Sequence, residues 1–233
     1  MKLSKPLNKY FDHTILKPYA SSADIDKVIE ECLRYDFRMI AINSVQVRYC
    51  KEKLKDSNIH IGAAIGFPLG QTTIETKVFE TQKAIEDGCD EIDYVVNLTE
   101  VKNGNYNYVE REMRAIVDIC KEQGIISKVI FENCYLSERE IIACCSIARI
   151  VKPDYIKTST GFGTGGATVE NVRLMKEYAG PDVKVKAAGG IRDLATALTM
   201  IKAGATRIGS SAGCAIMDEY NHSEQGLEKV DTY

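Results

Sequence analysis

The sequence predicts an α/β fold, and within that class a (β/α)8 TIM barrel. Short apolar runs alternate with longer amphipathic stretches along the chain, which is typical of repeated βα units. Each unit takes roughly 25–30 residues, so about eight of them fit a chain of 233 residues. Strands that alternate with helices must pair in parallel. An open, doubly wound sheet would give the same alternation, and the count of about eight strands favours the closed barrel.

Eight short runs are predicted to be the strands of this barrel. In chain order they are Tyr10–Thr14, Arg38–Asn43, His60–Ile65, Glu91–Val96, Lys128–Glu132, Tyr155–Thr158, Val183–Ala187 and Arg207–Gly209. Between them, apolar residues recur with a period near 3.6, as expected of helices that pack on a sheet. The clearest helical patterns are Thr72–Asp87, Tyr106–Gln123 and Thr168–Tyr178.

The composition indicates a single domain that covers residues 1–233. Hydrophobic residues make up 45% of the chain, which is enough for one sizeable core. No linker, low-complexity segment or change in composition divides the chain. The last stretch, from about Asp218 to Tyr233, is polar, and we expect it to be a mobile tail.

Charge and hydropathy exclude several classes of partner. The formal net charge is -3, so no broad basic field indicates a nucleic-acid partner. No run of about 18 apolar residues indicates a membrane span. The first ten residues, Met1–Tyr10, are polar and lack the apolar segment of a signal peptide. We therefore expect a cytoplasmic protein that does not bind membranes.

The cysteines and histidines favour free thiols over disulfides or metal binding. The eight cysteines lie mostly in apolar strand or helix patterns, and none forms a Cys-x-x-Cys pair. We expect most of them to be buried free thiols. The three histidines, His13, His60 and His222, are scattered along the chain. We therefore expect no zinc site.

Ionisable residues in three predicted strands are candidates for chemistry, because function in such barrels lies at the carboxyl ends of the strands. Asp93 lies in the fourth predicted strand, Lys157 in the sixth and Lys186 in the seventh. A lysine in an apolar strand costs desolvation unless its amine is paired or neutral. Alternatively, a lysine at a strand edge can extend its ammonium into solvent.

Two lysines on neighbouring strands, with an aspartate nearby, favour the catalytic interpretation. Two close cations shift one amine towards neutrality, and a neutral amine attacks a carbonyl. The resulting iminium accepts electrons and allows cleavage of a nearby carbon–carbon bond. Lys184 precedes Lys186 by two residues and should point into the lower barrel or its floor, so we assign it no catalytic role.

The glycine-rich segment from Gly161 to Gly166 matches the pattern G-x-G-x-x-G between a strand and a helix. That pattern also marks dinucleotide sites, but the acidic residue expected after the next strand is missing, and the unit is sixth in the chain instead of first. The segment also directly follows the strand that carries Lys157. A glycine loop at the barrel mouth, which lets a substrate approach the backbone closely, fits better.

Two further glycine-containing loops follow the seventh and eighth predicted strands. They read Gly189-Gly190-Ile191-Arg192 and Gly209-Ser210-Ser211. The alternative is that these glycines only make tight turns, but loops in these two places usually bind phosphate in this fold. Their exposed N–H groups and the following helix N-termini favour an anion. The sequence therefore predicts a phosphate site.

With these residues the sequence resembles the deoxyribose-phosphate aldolase family. The resemblance runs from Asp12 to about Ser211 and is most specific around Lys157. The matching stretches are Asp12–Pro18, Gly66–Gly70, Glu91–Asp93, Lys128–Ile130, Val151–Thr168 and Val185–Arg192. It implies that Lys157 is the Schiff-base lysine, that Lys186 perturbs its pKa and relays protons, and that Asp93 is the acid/base carboxylate. Lys128 looks like a partner of that network.

The resemblance also implies a reaction and a set of binding residues. The implied enzyme is a class I aldolase that reversibly cleaves 2-deoxy-D-ribose 5-phosphate to D-glyceraldehyde 3-phosphate and acetaldehyde. Such an enzyme needs no metal and no organic cofactor, and it is often a homodimer. Its expected partners are a small-molecule sugar phosphate and an aldehyde. The residues expected to hold the phosphate are Gly189, Gly190, Gly209 and Ser211, with Thr160 and Gly161 nearby.

Three positions depart from the family pattern, and one terminal residue suggests a further role. Ala41 and Ser44 stand where family members usually show Cys-x-Asn-Pro, and Ala212 replaces a second serine. Tyr233 ends the chain, as in some family members. Its phenol could fold over the barrel mouth and shuttle a proton, although a disordered tail is the favoured interpretation.

Three other functions remain open at this point. A class I aldolase for another phosphorylated sugar would share the lysine chemistry and differ in its pocket walls, near Asn43, Ser44 and Phe162. A barrel that binds sugar phosphates without turnover would have no reason to bury two lysines. An isomerase would need a base at a strand end, where Glu132 is the nearest candidate and is more simply a partner of an ion.

Overall fold

Eight parallel strands, numbered in chain order, form a closed barrel in which the last strand pairs with the first. The computed structural model describes residues 3–228, with side chains to residue 223. The strands are β1 Phe11–Ile15, β2 Met39–Asn43, β3 His60–Ile65, β4 Glu91–Val95, β5 Ile126–Ile130, β6 Tyr155–Lys157, β7 Lys184–Ala188 and β8 Ala205–Ser210. This architecture confirms the predicted (β/α)8 barrel.

Helices follow the strands and surround the barrel. They are α1 Ser22–Tyr35, α2 Val47–Leu54, α3 Ile74–Glu86, α4 Leu98–Lys102, α5 Tyr106–Glu122, α6 Glu138–Val151, α7 Val169–Tyr178, α8 Leu194–Ala203 and α9 Gly213–Glu228. Local sequence sets where several of them begin. Ser21 and Asp24 form a capping box at α1, and Ser137 and Glu140 form another at α6.

The apolar core lies between the strands and the surrounding helices. Side chains of a strand point alternately to its two faces, so the residues on either side of an inward one point outward. In β4, Ile92 is fully buried under the helices, whereas its neighbours Glu91 and Asp93 lie inside the barrel. The barrel interior is therefore charged, and its surrounding layer is apolar.

The predicted strand bounds differ from the observed ones by one or two residues at most ends. β5 begins two residues before its predicted start because Ser127 is paired within the structure, with its N–H and hydroxyl bound to the carboxylate of Asp154. It ends before Glu132, whose backbone is left-handed with φ at 44°. The polar Ser127 near the start of β5 and the left-handed Glu132 after its end made these bounds hard to predict from the sequence.

The polar C-terminal segment is helical over its described part. Helix α9 runs through Asp218 to Glu228, within the segment that the sequence predicts to be a mobile tail. The Tyr35 hydroxyl donates to Asp218 Oδ1 at 2.7 Å and ties the helix to α1. Tyr233 lies outside the described residues. We propose that the barrel with this helix is the only domain of the chain.

Two expectations from composition are matched by the described residues. No helix within residues 3–228 is both long and apolar enough to cross a membrane. All eight cysteines are free; Cys134 and Cys214 are half-buried and the other six are buried. The predicted buried free thiols are thereby confirmed.

Candidate active site

Charged side chains from six of the eight strands meet inside the barrel. Each is at most 4% exposed, although charged groups are rarely buried unless paired. They are Asp12 from β1, Glu91 and Asp93 from β4, Lys128 from β5, Lys157 from β6, Lys186 from β7 and Arg207 from β8. The structure therefore brings together the four predicted catalytic residues, Asp93, Lys128, Lys157 and Lys186.

Asp93 is the centre of the group. Its Oδ2 atom lies 3.0 Å from Nζ of Lys157 and 2.6 Å from Nζ of Lys186. Its Oδ1 atom accepts a short hydrogen bond from Lys128. Strand register produces this arrangement, because Asp93 is paired with Lys128 across β4 and β5, and Lys157 with Lys186 across β6 and β7. One carboxylate thus contacts three amines.

A second set of ion pairs lies next to the first, and the sequence argument did not assign it. Asp12 Oδ2 lies 2.5 Å from Lys186 Nζ, and its Oδ1 atom accepts from Arg207 at 2.7 Å. Glu91 Oε2 lies 2.6 Å from Arg207 and 2.7 Å from Lys128. Three charged positions within apolar strands were a signal available in the sequence, but their contact depends on how β8 closes against β1.

The pKa of Lys157 is lowered to about 8 by its burial inside the barrel and by a neighbouring charge. Burial has the largest effect, the neighbouring Lys186 ammonium adds to it, and Asp93 opposes it in part. Three carboxylates face four cationic side chains in this group. Charge balance is therefore reached when one amine is neutral, and Lys157 is the amine whose pKa is lowered.

Two further members of the predicted set, Asp93 and Lys128, are held in their charged forms. Burial favours a neutral Asp93, but Lys128, Lys186 and Lys157 together hold its pKa well below the usual 3.8. Burial also opposes the charge of Lys128, yet Asp93 and Glu91 raise its pKa above the ordinary value. Lys128 is therefore a fixed cation, which suits a supporting partner better than a nucleophile.

A cavity of about 540 Å³ opens at the carboxyl end of the barrel, above these charges. Lys157 is the member of the charged group that lines it. The other walls come from the ends of β1, β6, β7 and β8, from the loops that follow them and from α1. A pocket of this volume holds a small phosphorylated metabolite. The buried amine therefore lies where a carbonyl compound can reach it.

All six residues predicted to bind phosphate line this cavity. They are Thr160, Gly161, Gly189, Gly190, Gly209 and Ser211. Thr160 is engaged elsewhere, because its N–H donates to Glu132 Oε1 at 3.2 Å and its hydroxyl makes a short bond to Glu132 Oε2. Thr160 thus shapes the wall, and in this conformation its donors do not face a ligand.

The loop after β7 needs glycine for two reasons. Gly189 and Gly190 have φ of 86° and 78°, in the left-handed region that side chains disfavour. Gly166 also packs against this loop so closely that an added Cβ would lie 2.3 Å from the Gly189 carbonyl oxygen. The two glycine segments singled out in the sequence therefore form one structure at the barrel mouth.

Three cationic side chains at the cavity were not assigned from the sequence. Lys17 follows β1, Lys27 lies on α1 and Arg192 follows the glycine pair after β7. Arg192 lies in the predicted phosphate loop after β7, but only the glycines of that loop were predicted to bind phosphate. The helix pattern did not show that α1 faces the cavity. These cations give the mouth a positive charge suited to an anion.

The positions that depart from the family pattern have identifiable neighbours. Ala41 is buried in β2. Ser44 donates to Glu80 at 2.7 Å, and Glu80 in turn accepts the Gly66 N–H at 2.8 Å. The Ala212 N–H donates to the Ser210 hydroxyl at 3.0 Å. That N–H is therefore already used and does not replace the missing serine hydroxyl as a donor.

Glu132 and Lys184 are the two remaining residues that the sequence argument weighed. Glu132 is buried, and the partners of its carboxylate are the two Thr160 donors and the half-buried thiol of Cys134. It was interpreted as a partner of an ion, but its described contacts include no cation. Lys184 is exposed, with its amine over the Tyr155 ring, which agrees with the absence of a catalytic role.

The fold and the site define a (β/α)8 barrel protein with a buried lysine of lowered pKa at its carboxyl end. Residues 7–219 match the model of the DeoC/LacD family aldolases. The chain is 54% identical over 208 residues to the deoxyribose-phosphate aldolase of Lactobacillus acidophilus, covering 89% of this chain and 88% of that one. It is 50% identical to the enzyme of the same name from Thermococcus gammatolerans over 218 residues, 93% and 97% of the two chains.

A solved structure agrees with these relatives. The tetrameric deoxyribose phosphate aldolase from Aeropyrum pernix superposes with a TM-score of 0.86 at 30% sequence identity, over 92% of this chain and 91% of that one. The chain belongs to the DeoC/LacD aldolase family. The resemblance stated from the sequence is thereby confirmed.

Proposed function

We propose that this chain is a class I aldolase that reversibly cleaves 2-deoxy-D-ribose 5-phosphate to D-glyceraldehyde 3-phosphate and acetaldehyde. The observation that carries this proposal is the buried amine of Lys157, whose pKa is lowered to about 8. This amine lies in the wall of a cavity large enough for a small phosphorylated metabolite. Relatives about half identical over nearly the full chain carry the name of this activity.

In the first step, Lys157 attacks the C1 aldehyde of the open-chain sugar as a neutral amine. The carbinolamine then loses water and becomes an iminium. Lys186 supports this step in two ways: its charge lowers the pKa of Lys157, and its ammonium is a proton source close to the nascent hydroxide. The iminium nitrogen carries a positive charge. This charge takes the place of the Lys157 ammonium charge next to Asp93.

In the second step, a base removes the C3 hydroxyl proton and the C2–C3 bond breaks. The bonding electron pair moves into the iminium and gives an enamine, while C3 becomes the aldehyde of glyceraldehyde 3-phosphate. Asp93 is the proposed acid/base group, acting through a water molecule, because its carboxylate already contacts Lys157 and Lys186. Protonation of the enamine and hydrolysis release acetaldehyde and free Lys157.

The phosphate is proposed to bind across the loops after β7 and β8. Gly189, Gly190 and Gly209 allow the backbone to approach it, and the exposed Ser211 offers a hydroxyl at the start of the segment that leads into α9. Arg192 and Lys17 add positive charge at the same cavity. No metal or organic cofactor has a role in this scheme, because the iminium itself accepts the electron pair.

We further propose a cytoplasmic homodimer whose partners are small sugar phosphates and aldehydes. The Aeropyrum pernix relative is described as a tetramer, so a tetramer is the main alternative to the proposed dimer. Light scattering on the purified chain decides between one, two and four subunits. A monomer or a tetramer would contradict the dimer without affecting the proposed chemistry.

The experiment that tests the function is intact-mass spectrometry after treatment with acetaldehyde and borohydride. Wild-type protein should gain one reduced ethyl group, mapped to Lys157 by peptide analysis, and Lys157→Ala should gain none. Cleavage of 2-deoxyribose 5-phosphate is then compared with cleavage of other phosphorylated sugars. No adduct in wild-type protein would favour a barrel that only binds sugar phosphates, and an adduct with a different preferred sugar would retain the mechanism and change the substrate.

A further inference from the structure

Three side chains with metal-binding atoms meet on the outer face of β1, separate from the charged group inside the barrel. His13 points outward from β1, under α1 and α9. Its Nε2 atom lies 2.8 Å from Glu31 Oε2 and 3.8 Å from Cys214 Sγ. The ligand atoms of all three residues lie within 4.8 Å of one another. His13 is buried, and Glu31 and Cys214 are half-buried.

The packing around His13 fixes the position of its ring. The imidazole lies against the buried ring of Phe37, with the two centroids 4.9 Å apart. Gly213 allows α9 to approach, because an added Cβ there would lie 2.9 Å from His13 Nδ1 and 3.0 Å from Phe37. This close approach carries the next residue, Cys214, to the imidazole. The three groups are thus held by packing that is independent of any bound ion.

We propose that His13, Glu31 and Cys214 form a binding site for a divalent cation of the zinc class. Imidazole nitrogen, carboxylate oxygen and thiolate sulfur are the ligands that zinc takes, at about 2.0–2.3 Å. Ligand atoms at such distances from one tetrahedral ion are roughly 3.3–3.8 Å apart, so small rotations of the Glu31 and Cys214 side chains suffice. A water molecule would take the fourth coordination position of the metal, since Glu31 also borders the cavity.

The charges at the site balance when zinc binds. The Cys214 thiol loses its proton to solvent and binds as a thiolate, and Glu31 binds as a carboxylate, so the two anions neutralise the dication. Nε2 of His13 must first give up the proton that it donates to Glu31. The ring proton then lies on Nδ1, and His13 binds the metal through the lone pair of Nε2. The hydrogen bond between His13 and Glu31 is exchanged for two metal–ligand bonds.

The surroundings of Nδ1 limit the affinity. Zinc-binding histidines almost always donate their second ring N–H to a carboxylate, a carbonyl or water. In the described part of the chain, His13 Nδ1 is buried and has no hydrogen-bond partner. We therefore expect weaker binding than at structural zinc sites, so that the ion exchanges and chelators remove it without unfolding the barrel.

Bound zinc would join three elements that otherwise meet only through packing and hydrogen bonds. His13 lies on β1, Glu31 on α1 and Cys214 on α9. His13 also follows Asp12, which pairs with Lys186 inside the barrel. The ion would therefore stabilise the β1 end of the barrel and hold α9 in place beside the active site.

Cobalt(II) is the first probe, because thiolate ligation gives it a charge-transfer band in the near ultraviolet. Chelator-treated, reduced full-length protein is titrated with Co²⁺ alone. Wild-type protein should show the band, and Cys214→Ser should lose it. Cys134→Ser is the matched control, because Cys134 is the other half-buried free thiol. It should retain the band. No band in wild-type protein, or an unchanged band in Cys214→Ser, overturns the proposal.

Zinc binding is then measured by thermal unfolding in the presence of Zn²⁺. A ligand that binds only the folded chain raises the unfolding temperature in proportion to the logarithm of its concentration. Wild-type protein should show this rise, and Glu31→Gln should need at least about 10-fold more zinc for the same rise. Glu31 is half-buried, so this variant should fold. An equal response in both proteins overturns the assignment of Glu31.

This inference does not rest on the proposed function. Lys157→Ala should bind Co²⁺ with the same band, because the Lys157 amine contacts Asp93 inside the barrel, whereas His13 contacts Glu31 on the outer face of β1. Loss of the Schiff base in that variant together with an intact cobalt band separates the two sites. A protein without the cobalt band that still forms the Schiff base would overturn the metal site alone.

Discussion

At the scale of single residues, the Lys157 amine determines the proposed chemistry. Its pKa of about 8 leaves about a tenth of the amines neutral at pH 7. At the ordinary pKa of 10.5, roughly one in three thousand would be neutral. Burial and Lys186 together thus raise the population of the nucleophile by about 300-fold. The charged group inside the barrel therefore speeds the attack of Lys157 on a carbonyl.

The pH dependence of Schiff-base formation follows from this value. The neutral amine increases as pH rises through about 8, so the initial rate of acetaldehyde trapping should rise with pH and level off above that value. Replacing Lys186 with methionine removes a positive neighbour and should move the midpoint to higher pH. Borohydride trapping over a short time at each pH gives the profile.

Lys184→Met is the control for that experiment. Lys184 lies on the same strand, two residues before Lys186, and is exposed. Its removal should leave the midpoint in place. A midpoint that is the same in Lys186→Met and wild-type protein would contradict the electrostatic role given to Lys186.

Single-residue reasoning from the sequence found the reactive group but not all of its neighbours. Lys157 and Lys186 were visible because each interrupts an apolar strand, and a charged interruption has few structural explanations. Asp12 and Arg207 are also charged residues in strands, but they pair across the closure of β1 with β8. A closed barrel of eight strands implies that β8 meets β1, but the sequence does not give the register of that pair, so this contact could not be derived from it.

At the scale of elements, the loop after β6 is held by a clamp from the end of β5. The Glu132 carboxylate accepts both the N–H and the hydroxyl of Thr160, and the Thr160 hydroxyl accepts the Phe162 N–H at 3.0 Å. Thr160 and Phe162 line the cavity directly after the strand of Lys157. Glu132 is therefore a positioning residue, which acts on the site through Thr160.

Removing this clamp should impair activity more than it impairs folding. Glu132→Ala leaves two buried donors unpaired, so we expect a loss of about 1–3 kcal/mol of stability. Displacement of the loop by about 1 Å would lower kcat/KM by up to about 100-fold. Glu132→Gln keeps an acceptor for the Thr160 N–H and should recover most of the activity. Steady-state kinetics and urea unfolding of both variants provide the measurement.

A purely structural role for Glu132 would give a different result. In that case, kcat and KM would stay near wild-type values in the fraction of Glu132→Ala that folds. Equal activity per folded molecule in wild-type and variant protein would contradict the positioning role.

The contact between the glycine segment before α7 and the glycine loop after β7 can also be tested. The Gly189 carbonyl accepts the Ala167 N–H at 3.0 Å, and an added Cβ on Gly166 would meet this carbonyl oxygen at 2.3 Å. Gly166→Ala should therefore displace the loop after β7, with a cost of about 1–3 kcal/mol. Because Gly189 and Gly190 are proposed to bind phosphate, KM for the sugar phosphate should rise.

Gly165→Ala is the matched control. A Cβ at Gly165 would meet only the Cβ atom of Cys134, at 3.1 Å, and no backbone atom of the phosphate loop. Its KM should stay closer to the wild-type value, as measured by the same assay. A similar rise in KM for both variants would mean that the contact with Gly189 is not the cause.

Element boundaries were predicted correctly at both ends for one strand. His60–Ile65 was predicted with its observed bounds. β8 was predicted as three residues but begins at Ala205 and ends at Ser210, because small and polar residues at its ends carry little β preference. Glu132 was placed in a strand for its apolar neighbours, but its left-handed backbone is set by the clamp to Thr160 and was not visible locally.

At the scale of the whole molecule, the barrel keeps a charged interior where most barrels are filled with apolar layers. Such an interior is costly, since each charge loses its hydration and recovers it only through partners in the correct geometry. The apolar layer between strands and helices therefore supplies most of the stability. The fold class could be predicted from that layer, whose periodicity is local, whereas the interior depends on contacts between distant strands.

The buried carboxylates inside the barrel should make the protein sensitive to acid unfolding. Burial raises the pKa values of Glu91 and Asp93, but their cationic partners hold both well below the usual 4.5 and 3.8. A carboxyl whose pKa is depressed by folding contributes stability above its unfolded pKa and loses it as pH falls through the folded value. The free energy of unfolding should therefore be steady between about pH 6 and 7 and fall steeply below about pH 4.5.

Urea unfolding at a series of pH values measures this dependence, and two variants identify its source. Asp182→Asn removes a fully exposed carboxylate that pairs with Lys152, and solvent screens that pair, so the steep fall below pH 4.5 should remain. Glu91→Gln removes a carboxylate that contacts Lys128 and Arg207 inside the barrel. It should be less stable than wild type at pH 7, and its stability should fall less steeply in acid. If the slopes of wild type and Glu91→Gln were equal, the acid sensitivity would have to arise from surface carboxylates, and the charged interior would not govern the stability of the barrel.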